Sequence, residues 1–154
     1  MATVLYRVGS ASLRKPIMSD TPLVHRPAAS VVSKAPPTEN FSGVVQMEVL
    51  ASPTSFECET LRVNFFPGAR TGWHTHPVGQ ILIVTSGNGI VATRTWSKKM
   101  TTGDVIEIPA GVEHWHGASP NTPMTHIATQ PGGSTQWTEL VSDADYETLC
   151  ESAS

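Results

Sequence analysis

The chain has 154 residues, a length that suits one compact domain with a tail better than two domains. Charged residues make up only 15% of it, against about a quarter in typical soluble domains, while Gly and Pro number 12 each and Ser plus Thr roughly a fifth. This composition excludes a coiled coil or helical bundle and favours a turn-rich β domain; the net charge of −3 argues against nucleic acid as a partner, and no apolar run approaches the ~18 residues of a membrane span.

Residues 1–40 show no sustained period. Pro16, Pro22, Pro27, Pro36 and Pro37 break any long helix, and the segment reads as an N-terminal arm or tail, with short paired strands as an option. Its start carries Arg7, Arg14 and Lys15 with no acid before Asp20. It lacks the apolar stretch of a secretory signal and faintly resembles an organelle transit peptide. Cytoplasm is the expected setting, since Cys58 and Cys150 make no disulfide framework. Residues 100–154 carry eight acids and neither Lys nor Arg, so the two ends either attract one another or stand as two solvated ends.

From Phe41 the pattern changes, and a barrel domain is expected over 41–148 with a tail over 149–154. Val45–Leu50 is a short strand. In Thr60–Phe65, Leu61, Val63 and Phe65 alternate with polar residues, which predicts a half-buried strand. Pro67-Gly68 turns the chain, Thr71–His76 is extended, and Pro77-Val78-Gly79 turns it again. Gln80–Thr85 is an apolar strand, closed by Gly87-Asn88-Gly89, with Ile90–Trp96 as its hairpin partner. Val105–Ile108, His114–His116, Met124–Gln130 and Thr135–Val141 follow as strands between Gly- and Pro-containing turns. Ser142 caps a short helix to about Leu149. Eight to ten short strands at this spacing predict a small barrel or jelly roll.

Five of the six histidines lie between His74 and His126. On an extended strand, i and i+2 share a face, so His74 and His76 project side by side. Gln80 opens the next strand after a short turn, and His114 arrives from a strand further on. Three imidazoles and one amide oxygen can thus converge on a divalent transition metal and leave positions open for water or substrate. The other reading, unrelated strand histidines and a buried amide, leaves the spacing and the flanking glycines without a reason. Four neutral ligands leave the full +2 charge uncancelled, which makes a stronger Lewis acid. Met124, His126, Ala128 and Gln130 share one face; if it lines the barrel, His126 is a base in the pocket and Gln130 orients substrate. Leu61 and Val63 form an apolar pocket wall, and Met124 is expected to line the substrate pocket with them. His116 either supports the ligands or sits on the rim. Trp73 and Trp115 point away from the ligands into core or interface, and Arg70 makes a structural hydrogen bond.

Gly68-(x5)-His74-x-His76-(x3)-Gln80-(x6)-Gly87 and Gly103-(x5)-Pro109-x-Gly111-(x2)-His114 resemble the two cupin motifs. The usual first motif has Glu where this chain has Gln80, and the usual second ends in Asn where this chain has Ala118. The resemblance covers roughly residues 40–148 and implies an all-β fold, a single cupin (jelly-roll) barrel around a metal. The stretches PGARTGWHTHPVGQ and EHWHGASPNTPMTH, with the Tyr146-containing end, resemble the small manganese-dependent cupins that act as hydroxynitrile lyases. That resemblance implies a glutamine ligand, manganese ahead of iron, zinc, nickel or copper, a histidine base at His126, and a homodimer. The expected function is a metal-dependent lyase on a small hydroxyl-bearing substrate such as a cyanohydrin. The alternatives are a cupin dioxygenase, decarboxylase or isomerase, and a non-catalytic small-molecule-binding cupin.

Overall fold

Which face of each strand turns inward is decided by the alternation of apolar and polar side chains, and the strands close around that face. The computed structural model describes residues 23–52 and 57–154. The basic residues Arg7, Arg14 and Lys15, and with them the transit-peptide reading, lie outside the described residues. In chain order the elements are β1 (Phe41–Ser42), β2 (Val45–Ala51), β3 (Cys58–Phe65), β4 (Arg70–Thr71), β5 (His74–Thr75) and β6 (Gln80–Ala92). Then come β7 (Ser97–Thr101), β8 (Val105–Ile108), β9 (Trp115–Ala118), β10 (Met124–Pro131), β11 (Gln136–Trp137) and a helix, α1 (Asp143–Ser152). The hydrogen-bonded order β1-β4-β9-β6-β10-β3-β2, with β7 and β8 also paired to β6, makes a nearly closed jelly-roll barrel; β11 and β5 pair separately. Among the described residues no helix is long and apolar enough to cross a membrane.

Strand β6 organises the barrel. Its first half pairs with β8 and β10, and its second half with β9 and β7. The expected hairpin at Gly87-Asn88-Gly89 is therefore corrected: β6 runs through these residues, and Ile90 pairs with Lys99 and Gly117 rather than with the strand before it. The glycines mark a crossing between the two sheets. Gly87 sits at φ +76°, and a Cβ there would meet Pro123 O at 2.0 Å; one at Gly89 would meet Gly117 O at 2.4 Å. Close backbone approach, rather than chain reversal, requires glycine here. The reversal comes later, where Thr93 N–H donates to Trp96 O (2.8 Å) before β7.

Two apolar clusters stabilise the barrel. Val63, Phe65, Leu82, Val84, Met100 and Met124 belong to the inner one, and each buried side chain of this size contributes roughly 1.5–3 kcal/mol. The outer cluster packs Trp73, Trp115, Ile90 and Val141 against Tyr146 of α1. The tryptophans thus face away from the histidines beside them, as the alternation requires. Tyr146 O–H donates to Ala118 O (2.8 Å), and its ring carries the Arg70 guanidinium at 4.4 Å. Arg70 also donates to Val141 O and pairs with Asp143. Ser142 Oγ accepts from Asp145 N–H (3.1 Å), and Asp143 and Asp145 favour the positive end of the helix dipole. The helix continues past Leu149 to Ser152, so most of the expected 149–154 tail is helical, with Ala153 buried. The expected last strand over 135–141 contracts to Gln136–Trp137. Upstream, Lys34 pairs with Met47, and Gly72 N–H donates to Asn40 O, which lays the end of the arm against the barrel mouth.

Candidate metal centre and pocket

His74 and His114 face each other across an antiparallel bridge. His74 N–H donates to His114 O (2.9 Å) and His114 N–H to His74 O (3.0 Å), which puts their rings 4.2 Å apart. Gly111 N–H donates to His76 O (2.9 Å), tying the turn before His114 to the end of the first histidine pair. One ring nitrogen from each of His74, His76 and His114 lies within 4.8 Å of the others, and all three residues are buried. These histidines could hold a metal ion.

Hydrogen bonds at the far side of each ring fix which nitrogen faces inward. His74 Nδ1–H donates to Gly72 O (2.9 Å), and His114 Nδ1–H donates to Val112 O (2.8 Å). A carbonyl only accepts, so in both neutral rings Nε2 carries the lone pair. Among the described residues, none gives the buried His76 Nε2 a hydrogen-bond partner. Gln80 donates from Nε2 to Gln130 Oε1 (2.8 Å), which turns its own Oε1 toward His114 Nε2 at 3.4 Å. Two lone pairs at that distance with no proton between them repel in a dry interior. A cation between them removes the repulsion, so the donor set fits a divalent metal held by His74, His76, His114 and Gln80.

Above these residues opens a cavity of about 240 Å³. That is below the usual ligand-pocket range of roughly 300–1,000 Å³, so it suits a small molecule. Leu61 and Val63 line it, as expected from the alternation of β3. His116, His126 and Gln130 line it too, which brings the open cases of His116 and His126 into the pocket. His126 is wholly buried, and its Nε2 lies 3.2 Å from His116 Nδ1. A register shift between Thr125 and His126 against β6 bends the ladder beside it, the kind of irregularity that re-aims a side chain. Met124 departs from the expectation: it opens β10 two residues before His126, opposite Gly87 and Phe65, and fills the inner core instead of the cavity wall. Sequence reasoning missed Phe41, Phe65 and Trp137, whose rings form an aromatic wall; Phe41 and Trp137 lie 5.4 Å apart and Trp137 lies 4.7 Å from His74. It also missed Glu59, whose Oε2 accepts from Gln130 Nε2 (2.7 Å).

Burial keeps the cluster neutral. It holds His126 down at about 4, and His76 is pushed to about 4 by burial and then by the neighbouring His114. His74 and His116 are lowered for the same leading reason, as is His114. A histidine with a depressed folded pKa contributes stability that is complete above its unfolded value near 6.5 and is lost as pH falls toward 4. Urea unfolding of the metal-free protein is therefore expected to be flat from pH 8 to about 6.5 and to weaken below it, His126 alone accounting for a loss on the order of 3 kcal/mol. A midpoint unchanged down to pH 4 would show the cluster to be solvated.

A model of the cupin domain matches residues 61–129. Over 115 residues the chain is 42% identical to an (R)-mandelonitrile lyase from Granulicella tundricola, spanning 71% of this chain and 88% of that protein. A cupin-like protein of known structure from Thermotoga maritima is 37% identical, with a TM-score of 0.74 over 77% of this chain and 93% of its own. The structure of a polyketide cyclase from Streptomyces resistomycificus shares the fold at 16% identity, with a TM-score of 0.64 over 82% of this chain and 91% of its own.

Proposed function

The chain belongs to the cupin family, and from that premise we propose that it is a metal-dependent lyase that cleaves or forms an aryl cyanohydrin. The observation that carries this reading is the buried His126–His116 pair, set in an aromatic cavity beside three histidines and an amide oxygen able to hold one divalent ion. The likeness to a mandelonitrile lyase supports the choice of substrate class. Manganese is the first candidate, ahead of iron, zinc, nickel and copper; the set contains no thiolate, unlike most structural zinc sites.

When bound, the ion supplies Lewis acidity, stabilising negative charge as it develops on the substrate. The chain's own residues do the rest. Phe41, Phe65 and Trp137 receive the aryl ring, and Leu61 and Val63 keep water from that side of the cavity. His126, held neutral by burial, accepts the hydroxyl proton. The carbon–nitrile bond then breaks, its electron pair leaves with cyanide, and the hydroxyl-bearing carbon becomes the carbonyl of an aldehyde. The proton on His126 passes to cyanide and restores the neutral imidazole. The nitrogen-to-nitrogen contact with His116 lets the two rings share the transferred proton, which eases its accommodation in a dry site.

Aldehyde release from mandelonitrile tests the proposal. Protein stripped with chelator should be inactive and should recover on addition of Mn²⁺. Equal rates before and after stripping would rule out the metal-dependent reaction.

A further inference from the structure

Glu59, Gln130 and Gln80 form a single row across three neighbouring strands. Gln130 on β10 is paired directly with Glu59 on β3, and Thr129 with Ile81 on β6, which puts Gln80 next to Gln130 on the other side. The hydrogen bonds follow the row: Gln80 Nε2 donates to Gln130 Oε1 (2.8 Å), and Gln130 Nε2 donates to Glu59 Oε2 (2.7 Å). Among the described residues that line the cavity, Glu59 is the one that is formally charged.

Resting on the reading of Gln80 as a ligand, we propose that Glu59 is a positioning residue that fixes, through Gln130, which end of the Gln80 amide faces the metal. An amide can rotate by 180° and exchange its oxygen for its NH₂ at little steric cost, but a carboxylate accepts and never donates. Gln130 must therefore turn its NH₂ to Glu59 and its oxygen to Gln80. Gln80 must in turn donate its NH₂ to that oxygen, and only its Oε1 is left to face His114. Rotated the other way, Gln80 would present N–H bonds to a cation and could not ligate. Glu59 thus sets the polarity of the whole row without touching the ion.

The test is Mn²⁺ affinity of the metal-free protein by calorimetric titration, with the absorption spectrum of the Co²⁺-loaded form as a second readout of the ligand set. Circular dichroism and thermal unfolding of each metal-free variant verify the fold. Glu59→Gln removes the acceptor-only end and is expected to weaken Mn²⁺ binding about tenfold, the lower end of what outer partners of ligands contribute. Gln80→Ala should weaken it at least as much. In a Gln80→Glu background the sign should invert. There a carboxylate stands at each end of Gln130, whose single NH₂ can satisfy only one; adding Glu59→Gln lets the row run in reverse and should strengthen Mn²⁺ binding. If Glu59→Gln weakens binding equally in both backgrounds, Glu59 acts by its charge alone and the proposal fails. If Glu59→Gln binds Mn²⁺ like the parent while Gln80→Ala does not, the relay is wrong and the ligand set stands. If Gln80→Ala also binds like the parent, Gln80 is no ligand and the relay falls with that reading.

Discussion

His126→Ala is expected to lower mandelonitrile turnover about 10²–10⁴-fold, the usual contribution of a positioned general base, while one equivalent of metal stays bound. Both halves of that result follow from where the ring sits. His126 lines the cavity with its Nε2 against His116 Nδ1, whereas the three clustered ring nitrogens belong to His74, His76 and His114. Removing the imidazole should therefore take away the proposed proton acceptor without opening the proposed ligand set. Loss of rate with full metal content, read from metal analysis and steady-state kinetics on the same sample, assigns the base. Retained activity would move that role to His116 or to water.

The second large effect is expected at His114. It faces His74 across a backbone bridge and lies against Gln80 Oε1, so it joins the two halves of the donor set. His114→Ala should abolish both metal retention and turnover. Thermal unfolding separates this from simple misfolding. A ligand that binds only the folded state stabilises it by mass action, by about 2.7 kcal/mol at a hundredfold excess over its dissociation constant. The parent protein should show such a Mn²⁺-dependent rise in Tm, and His114→Ala, folded by circular dichroism, should show none. An equal Mn²⁺-induced rise in both proteins would take His114 out of the site.

The parts of this arrangement that depend on local order could be read from the sequence. Alternation along Thr60–Phe65 and Met124–Gln130 placed Leu61, Val63, His126 and Gln130 on inward faces, because side-chain direction in a strand has a period of two whatever the strand pairs with. The His74/His76 spacing and the glycines that flank it did the same for the candidate ligands, and Ser142 marked the start of α1 by its capping chemistry.

What could not be read depends on pairing. Glu59 gains its place from standing opposite Gln130, some 70 residues away in the chain, and by itself it looks like any carboxylate on a half-exposed strand. Gly87-Asn88-Gly89 has the composition of a hairpin turn; only the approach of Pro123 and Gly117 shows that the glycines make room for neighbouring strands inside β6. Met124 shares a face with His126, yet it lies one step deeper along the barrel, where Phe65 and Gly87 enclose it. The wall made by Phe41 and Trp137 joins residues almost a hundred positions apart, each on a strand of two residues.

The proposed reaction depends on one divalent metal held by His74, His76, His114 and Gln80. Its most direct test is a titration of chelator-stripped protein with Mn²⁺ while mandelonitrile cleavage is followed in the same samples. Activity is expected to rise in proportion to bound metal and to level off at one equivalent per chain. Full activity with no metal bound, or one tightly bound equivalent with no cleavage, would contradict it.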